Sequence, residues 1–180
     1  MMKKITALAA LGAFLAAPAM AADKVKIGFV TTITTPAGVI GQDMVDAVNL
    51  AMEDIGGKMA GLDVELIIED DGFKPPIGKQ KVDKLVKKDQ VDFIGGFIWS
   101  HVLLASKKPA LDSGTFLISS NAGPSQLAGK QCDKNFFSTS WQNDQTPMAM
   151  GEVLNQNGVK SVYIMAPNYA AGKNMIAGVE

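Results

Sequence analysis

The period of the hydrophobic pattern switches repeatedly between two and 3.6 along this chain, and that switching restricts the fold more than any other feature. KVKIGFV at 24–30 alternates and then turns apolar, as a strand entering a core does. GQDMVDAVNLAMEDIGG at 41–57 instead spaces Met44, Val48, Ala51, Met52 and Ile55 on one helical face, and Gly56 and Gly57 stop it. The two periods then recur. Strands are predicted at 62–70 (LDVELIIED), 91–97 (VDFIGGF), 115–120 (TFLISS), 134–140 (KNFFSTS) and 160–166 (KSVYIMA). Helices are predicted at 76–89, 100–114, 146–158 and from 169 onward. In the first of these Val82, Leu85 and Val86 face inward, and Lys79, Lys81, Lys84, Lys87 and Lys88 form a solvated face. Pro109 should kink or restart the second. Strand alternating with helix predicts an α/β fold: a doubly wound parallel sheet covered on both faces, three layers deep. No internal repeat or low-complexity linker interrupts it.

Such a sheet binds its ligands beyond the carboxyl ends of its strands. Four of those ends are legible: TTITTPAGVIG, DDGFKPP, FIWS and SSNAGPS, all rich in hydroxyls, glycine and exposed apolar groups. Ser100 falls where the helix after FIWS begins. It can cap that helix, and it can equally offer an anion a hydroxyl beside free backbone N–H groups. The 17 basic residues are all lysine, so no guanidinium fork is available to clamp a carboxylate or phosphate. An anion must be held by lysine, hydroxyls, backbone N–H groups or helix starts. A formal net charge of −1 argues against nucleic acid as a partner.

The first residues fix the compartment. Lys3 and Lys4, an apolar run from Ile5 to Ala17, and the small-residue pattern Ala19-Met20-Ala21 form a secretory signal peptide (residues 1–21) with cleavage after Ala21. The run is shorter than the ~20 residues that span a bilayer, so no stable membrane insertion is expected after cleavage. The expected location is a bacterial periplasm. Cys132 stands alone and no Cys/His pair exists, so no zinc site or other metal site is supported and no cofactor is called for. Glu69, Asp70 and Asp71 are consecutive and would alternate sides of a strand. A serine hydrolase built on Ser100 and His101 is disfavoured, because neighbours in a helix point about 100° apart and no G-x-S-x-G elbow is present. GPSQLAGKQ has the wrong spacing for a phosphate-binding loop.

Taken in order, KIGFVTTITTPAGVIGQDMVDAVNLAMEDIGG, DDGFKPP, VDFIGGFIWSHV, TFLISSNAGPSQL, NFFSTSW and YIMAPNYAAGKNM resemble the periplasmic substrate-binding proteins of the branched-chain amino acid type, the type I binding proteins that serve ATP-driven (ABC) importers. The resemblance implies two α/β lobes with a ligand between them, a non-enzymatic role, monomeric behaviour and delivery of the ligand to an ABC permease in the inner membrane. It implies a first lobe at 22–140 and, at 141–180, a hinge with the start of a second lobe. A protein of about twice this length is expected, and STSWQND at 138–144 is the candidate hinge. The family's cleft serine falls on Ser100, its contacts after the fourth strand on Asn121 and Gly123, its second-lobe aromatic on Tyr169, and its first-loop contact near Ile40. The ligand implied is a small carboxylate, either a branched-chain or other amino acid or an aromatic acid. Trp99, Trp141 and Tyr169 would suit a flat ring, with core packing as their competing role. A sensory receptor ectodomain of the same fold is the alternative role.

Overall fold

The computed structural model of the protein describes residues 24–180; the signal peptide and its cleavage site lie outside the described residues. Six strands form one sheet in the order β2-β3-β1-β4-β5-β6. β1 (Val25–Thr31), β3 (Leu62–Asp70), β4 (Phe93–Gly96), β5 (Phe116–Ser119) and β6 (Phe136–Ser138) are parallel. β2 (Lys58–Met59) is a two-residue edge strand, antiparallel to β3. The periodicity gave no sign of β2. It exists because Ala60 and Gly61 both adopt positive φ (51° and 86°), the backbone of a two-residue hairpin turn.

The helices are α1 (Gly38–Asp54), α2 (Pro75–Lys84), α3 (Ser100–Ser113), α4 (Gln145–Gln156) and α5 (Ala170–Val179). The chain leaves β1 toward β3 through α1, then steps back across β1 to β4 through α2. Right-handed crossovers in opposite directions put α1 on one face and α2 with α3 on the other. α2 and α3 pack along each other, and between them and the sheet lies the core of Val30, Val82, Leu85, Val91, Ile94, Phe97, Val102, Leu103 and Leu117. At their crossing the Cα of Gly78 carries no side chain because a Cβ there would meet Val102 Cγ1 at 2.5 Å and Ser106 Oγ at 3.0 Å. The reversal of direction beside β1 makes a topological switch point. The loops after β1 and β4 open there.

Several expectations need correction. α1 turns Gly38, Gly41 and Val45 inward, while Ile55, predicted on the inner face, is 43% exposed. The face is rotated because the chain enters α1 three residues earlier, on glycines that let it lie against the loop after β1. Lys81 and Lys84 are not wholly solvated; both pair with the buried Glu69, at 2.6 and 2.7 Å. α2 ends in a π turn over Leu85–Asp89, closed by Gln90 at φ 54°. α3 runs through Pro109 without a break. Ser106 and Ala110, both fully buried on either side of the proline, hold the helix to the core despite one missing N–H. The predicted strand at 160–166 is not formed. A strand is a paired element, and no strand among the described residues runs beside it; Tyr163 and Met165 are 90% and 83% exposed.

Candidate functional site

The loops that follow β1, β3, β4 and β5 meet at one end of the sheet, and a carboxylate organises them. Asp71, at the end of β3, is fully buried. Its Oδ1 accepts the Thr32 hydroxyl and, at 2.8 Å, the backbone N–H of Phe73. Thr32 Oγ1 in turn accepts the indole N–H of Trp99 at 3.0 Å. Asp71 therefore ties the loop after β1, its own loop and the loop after β4 into one unit. Its Oδ2 is buried with no hydrogen-bond partner, and burial pushes the carboxyl pKa above its ordinary value despite the bonds from Thr32 and Phe73. The neighbouring carboxylates have other tasks: Asp70 accepts from the backbone of Ile33 and Gly72, and Glu69 pairs with lysines.

Around this unit four rings close a circuit. Phe73 meets Trp99 edge-on at 4.6 Å and His101 at 5.1 Å; Tyr169 meets His101 at 5.3 Å and Trp99 at 6.1 Å. All four contacts are edge-to-face, the arrangement in which a positive ring edge meets a negative face. Phe73, and Phe97 just before the Trp99 loop, both hold left-handed backbone, φ 65° and 66°. Strain of this kind persists only where surrounding bonds enforce it. At Phe97 they are its N–H to Val30 O, 2.7 Å, and its carbonyl to the Ala122 N–H, 2.9 Å. Burial keeps the Tyr169 phenol protonated by raising its pKa, and lowers the pKa of His101, with Asp71 opposing the latter.

Ser100 lies beside Trp99 as the first residue of α3, 2% exposed. It does not cap the helix: Trp99 holds the cap position and no side chain bonds there. Its Oγ accepts Asn143 Nδ2 at 3.0 Å, and no acceptor for the hydroxyl proton is present among the described residues. Asn143, within the candidate hinge STSWQND, is 95% covered and joins three segments. Its side chain also donates to Asn174 Oδ1, 3.3 Å, on α5, and its N–H to Gly123 O, 2.8 Å. His101 faces Phe73 and Tyr169, and Ser100 faces Asn143, so the two do not form a nucleophile–base pair.

The structure thus gathers Ser100, Trp99 and Tyr169. Asn121 lies next to them, its amide strapping the β5 loop to Ile98 O at 3.0 Å. Gly123 lies where the segment at 141–143 passes so closely that a Cβ would fall 2.0 Å from Trp141 O. Trp141 joins none of the ring contacts. It is 58% exposed and lines a separate cavity of about 210 Å³ with Gly123, Phe136, Ser138, Ser140 and Gln145. Ile40 sits on the exposed first turn of α1. Sequence reasoning missed Phe73, His101, Asp71 and Asn143 as members of the group. DDGF was legible as a ligand-facing loop, but nothing in it marks which side chain turns toward Trp99. No group of three or more metal-ligating side chains occurs among the described residues.

Comparison with known proteins gives a consistent result. Residues 24–180 match the periplasmic binding protein family. A Leu/Ile/Val-binding protein homologue from Brucella abortus is 30% identical over 174 residues, covering 95% of this chain and 44% of its own. Among solved structures, a solute-binding protein of an ABC transporter from Rhodopseudomonas palustris in complex with benzoate is 27% identical with a TM-score of 0.80, covering 87% of this chain and 44% of that one. Another from R. palustris BisB5, in complex with 3,4-dihydroxybenzoic acid, is 26% identical with a TM-score of 0.79 over 87% and 42%. A branched-chain amino acid binding protein from Streptococcus pneumoniae in complex with isoleucine shares the fold at 19% identity and a TM-score of 0.71. The chain spans less than half the length of these relatives.

Proposed function

The chain belongs to the periplasmic binding protein family, and on that premise we propose that it binds a small carboxylate at the start of α3, in the periplasm, for delivery to an ABC permease. The observation that carries this reading is the state of Ser100. Its hydroxyl is buried, oriented by Asn143 and left with a proton to donate, beside the first backbone N–H groups of a 14-residue helix. These groups suit a carboxylate, and no arginine competes for the task. The four-ring circuit beside them offers an apolar wall for the body of the ligand. The resemblance to benzoate-binding and dihydroxybenzoate-binding proteins favours a flat aromatic acid over an aliphatic amino acid.

In this reading the segment from 141 onward is the hinge and the start of a second lobe. Tyr169 closes on the ligand from that side. Closure excludes water and strengthens the hydrogen bonds at Ser100. The closed form is then the one a permease recognises. Isothermal titration of the full-length protein with benzoate tests the reading. Ser100→Ala should weaken binding by about 2 kcal/mol, roughly 30-fold, because it removes one hydrogen bond to a charged group. Equal affinity in wild type and variant would remove Ser100 from the site.

A further inference from the structure

Asn174 sits in the middle of α5, where an asparagine side chain ordinarily turns to solvent or to the carbonyl of the preceding turn. Here it reaches out of its helix instead. Its Oδ1 accepts the backbone N–H of Ser125 and the side-chain amide of Asn143, both at 3.3 Å. The loop after β5 therefore holds Asn143 twice. Gly123 O takes its backbone N–H, and the Ser125 N–H fixes the oxygen that takes its side chain. The direction of these bonds is set at one end. A backbone N–H can only donate, so the Asn174 atom facing Ser125 is the carbonyl oxygen. An amide oxygen can only accept, so Asn143 must present its NH2 group there. The same NH2 group meets Ser100 Oγ at 3.0 Å, so Ser100 accepts and its own proton points elsewhere. Turned over, the Asn143 amide would set its oxygen against that of Asn174 and take the Ser100 proton for itself.

We propose that Asn174 is a positioning residue for the carboxylate site: by fixing the amide of Asn143, it makes the Ser100 hydroxyl a donor to the ligand. This rests on the carboxylate-binding reading given above and deepens it. Donor and acceptor roles run one way, from the Ser125 N–H through Asn174 and Asn143 to Ser100. Without the Asn174 oxygen the Asn143 amide is free to turn over. Ser100 then donates to Asn143 and shows a lone pair, not a proton, to the carboxylate. Because Asn174 lies on α5, beyond the candidate hinge, the donor is ready only when α5 rests against the loop after β5.

The test is a double-mutant cycle between Asn174 and Ser100, read by calorimetric titration of the full-length protein. Benzoate and leucine are both titrated, and the one that the wild type binds more tightly is the probe. Asn174→Leu, close to asparagine in shape but without the acceptor, should weaken binding by about tenfold. In the Ser100→Ala background the same substitution should change affinity by less than about twofold, because the proton it misdirects is already gone. A purely structural role, such as holding α5 in place, would weaken binding by the same factor in both backgrounds. If Asn174→Leu does not fold, Ser125→Pro takes its place in the cycle under the same criteria. It removes the N–H that fixes Asn174, at the first residue of the 3-10 turn Ser125–Ala128 and after an extended Pro124, where proline fits. Equal factors in the two backgrounds, or no loss from Asn174→Leu where Ser100→Ala does weaken binding, overturn the proposal and leave the carboxylate reading standing. Affinity indifferent to Ser100→Ala, or binding of neither carboxylate, overturns both.

Discussion

Replacing Gly123 with alanine perturbs the site through the backbone alone, and its effect follows from distances. The added methyl would stand 2.0 Å from Trp141 O, 3.1 Å from its carbonyl carbon and 3.2 Å from Gln142 Cα. These are backbone atoms, so no side-chain rotation relieves the clash. The segment at 141–143 must retreat by about 1 Å to reach ordinary contact. The bond from Asn143 N to Gly123 O, now 2.8 Å, then exceeds hydrogen-bonding distance, and the bond from Asn143 Nδ2 to Ser100 Oγ, now 3.0 Å, follows it. Each is worth about 1 kcal/mol net, and buried polar groups left unpaired add about as much again, so the expected loss is roughly 2–3 kcal/mol. Urea unfolding, with a slope of about 2 kcal/mol per molar, should show the midpoint falling by roughly 1–1.5 M. Equal midpoints for Gly123→Ala and wild type would refute the account of the segment at 141–143 as locked by close backbone approach.

Further predictions concern the supporting structure. Glu69 is 9% exposed and bonded to Lys81 and Lys84; burial alone would raise its pKa, but the bonds and charges of the two lysines outweigh it and hold the carboxyl below its ordinary value. A depressed folded pKa stabilises above the unfolded value, here 4.5, and the contribution is lost as pH falls through the folded one. Glu69→Gln should therefore cost about 1–2 kcal/mol at pH 7, discounted for the partial exposure of both lysines, and the difference should vanish in acid; a constant difference from pH 7 to 3 would contradict the pairing. Gly78→Ala should destabilise by about 1–2 kcal/mol in thermal unfolding, since overpacking against Val102 and Ser106 outweighs the gain in helix propensity of about 1 kcal/mol; a stabilised variant would mean the α2–α3 crossing is looser than described.

The fold was legible because it is written in periods. β3 occupies the predicted 62–70 to the residue, β1 is shifted by one residue, and β4, β5 and β6 fall inside their predicted ranges to within two residues at each end. A run such as LDVELIIED or TFLISS can do little else beside a helical repeat. The failures share a cause. The strand at 160–166, the inner face of α1 and the break at Pro109 each depend on what lies alongside, and a local pattern carries no record of its neighbours. The site divides in the same way. Ser100 and Trp99 stood out by their place between a strand end and a helix start, and Tyr169 through the family resemblance. Asp71 and Asn143 act through bonds to residues 39 and 43 positions away, Thr32 and Ser100, whose hydroxyls no spacing rule connects to them. In the sequence Asp71 is only the last of three consecutive carboxylates, and its burial reveals that three loops hang from it.

The most direct test of the central claim is a crystal structure of the full-length protein with an aromatic carboxylate bound. The account predicts one carboxylate oxygen within about 3 Å of Ser100 Oγ, near the first N–H groups of α3, with the ring against Trp99 and Tyr169. A ligand seated instead in the cavity beside Trp141, with Ser100 bonded only to Asn143, would contradict it.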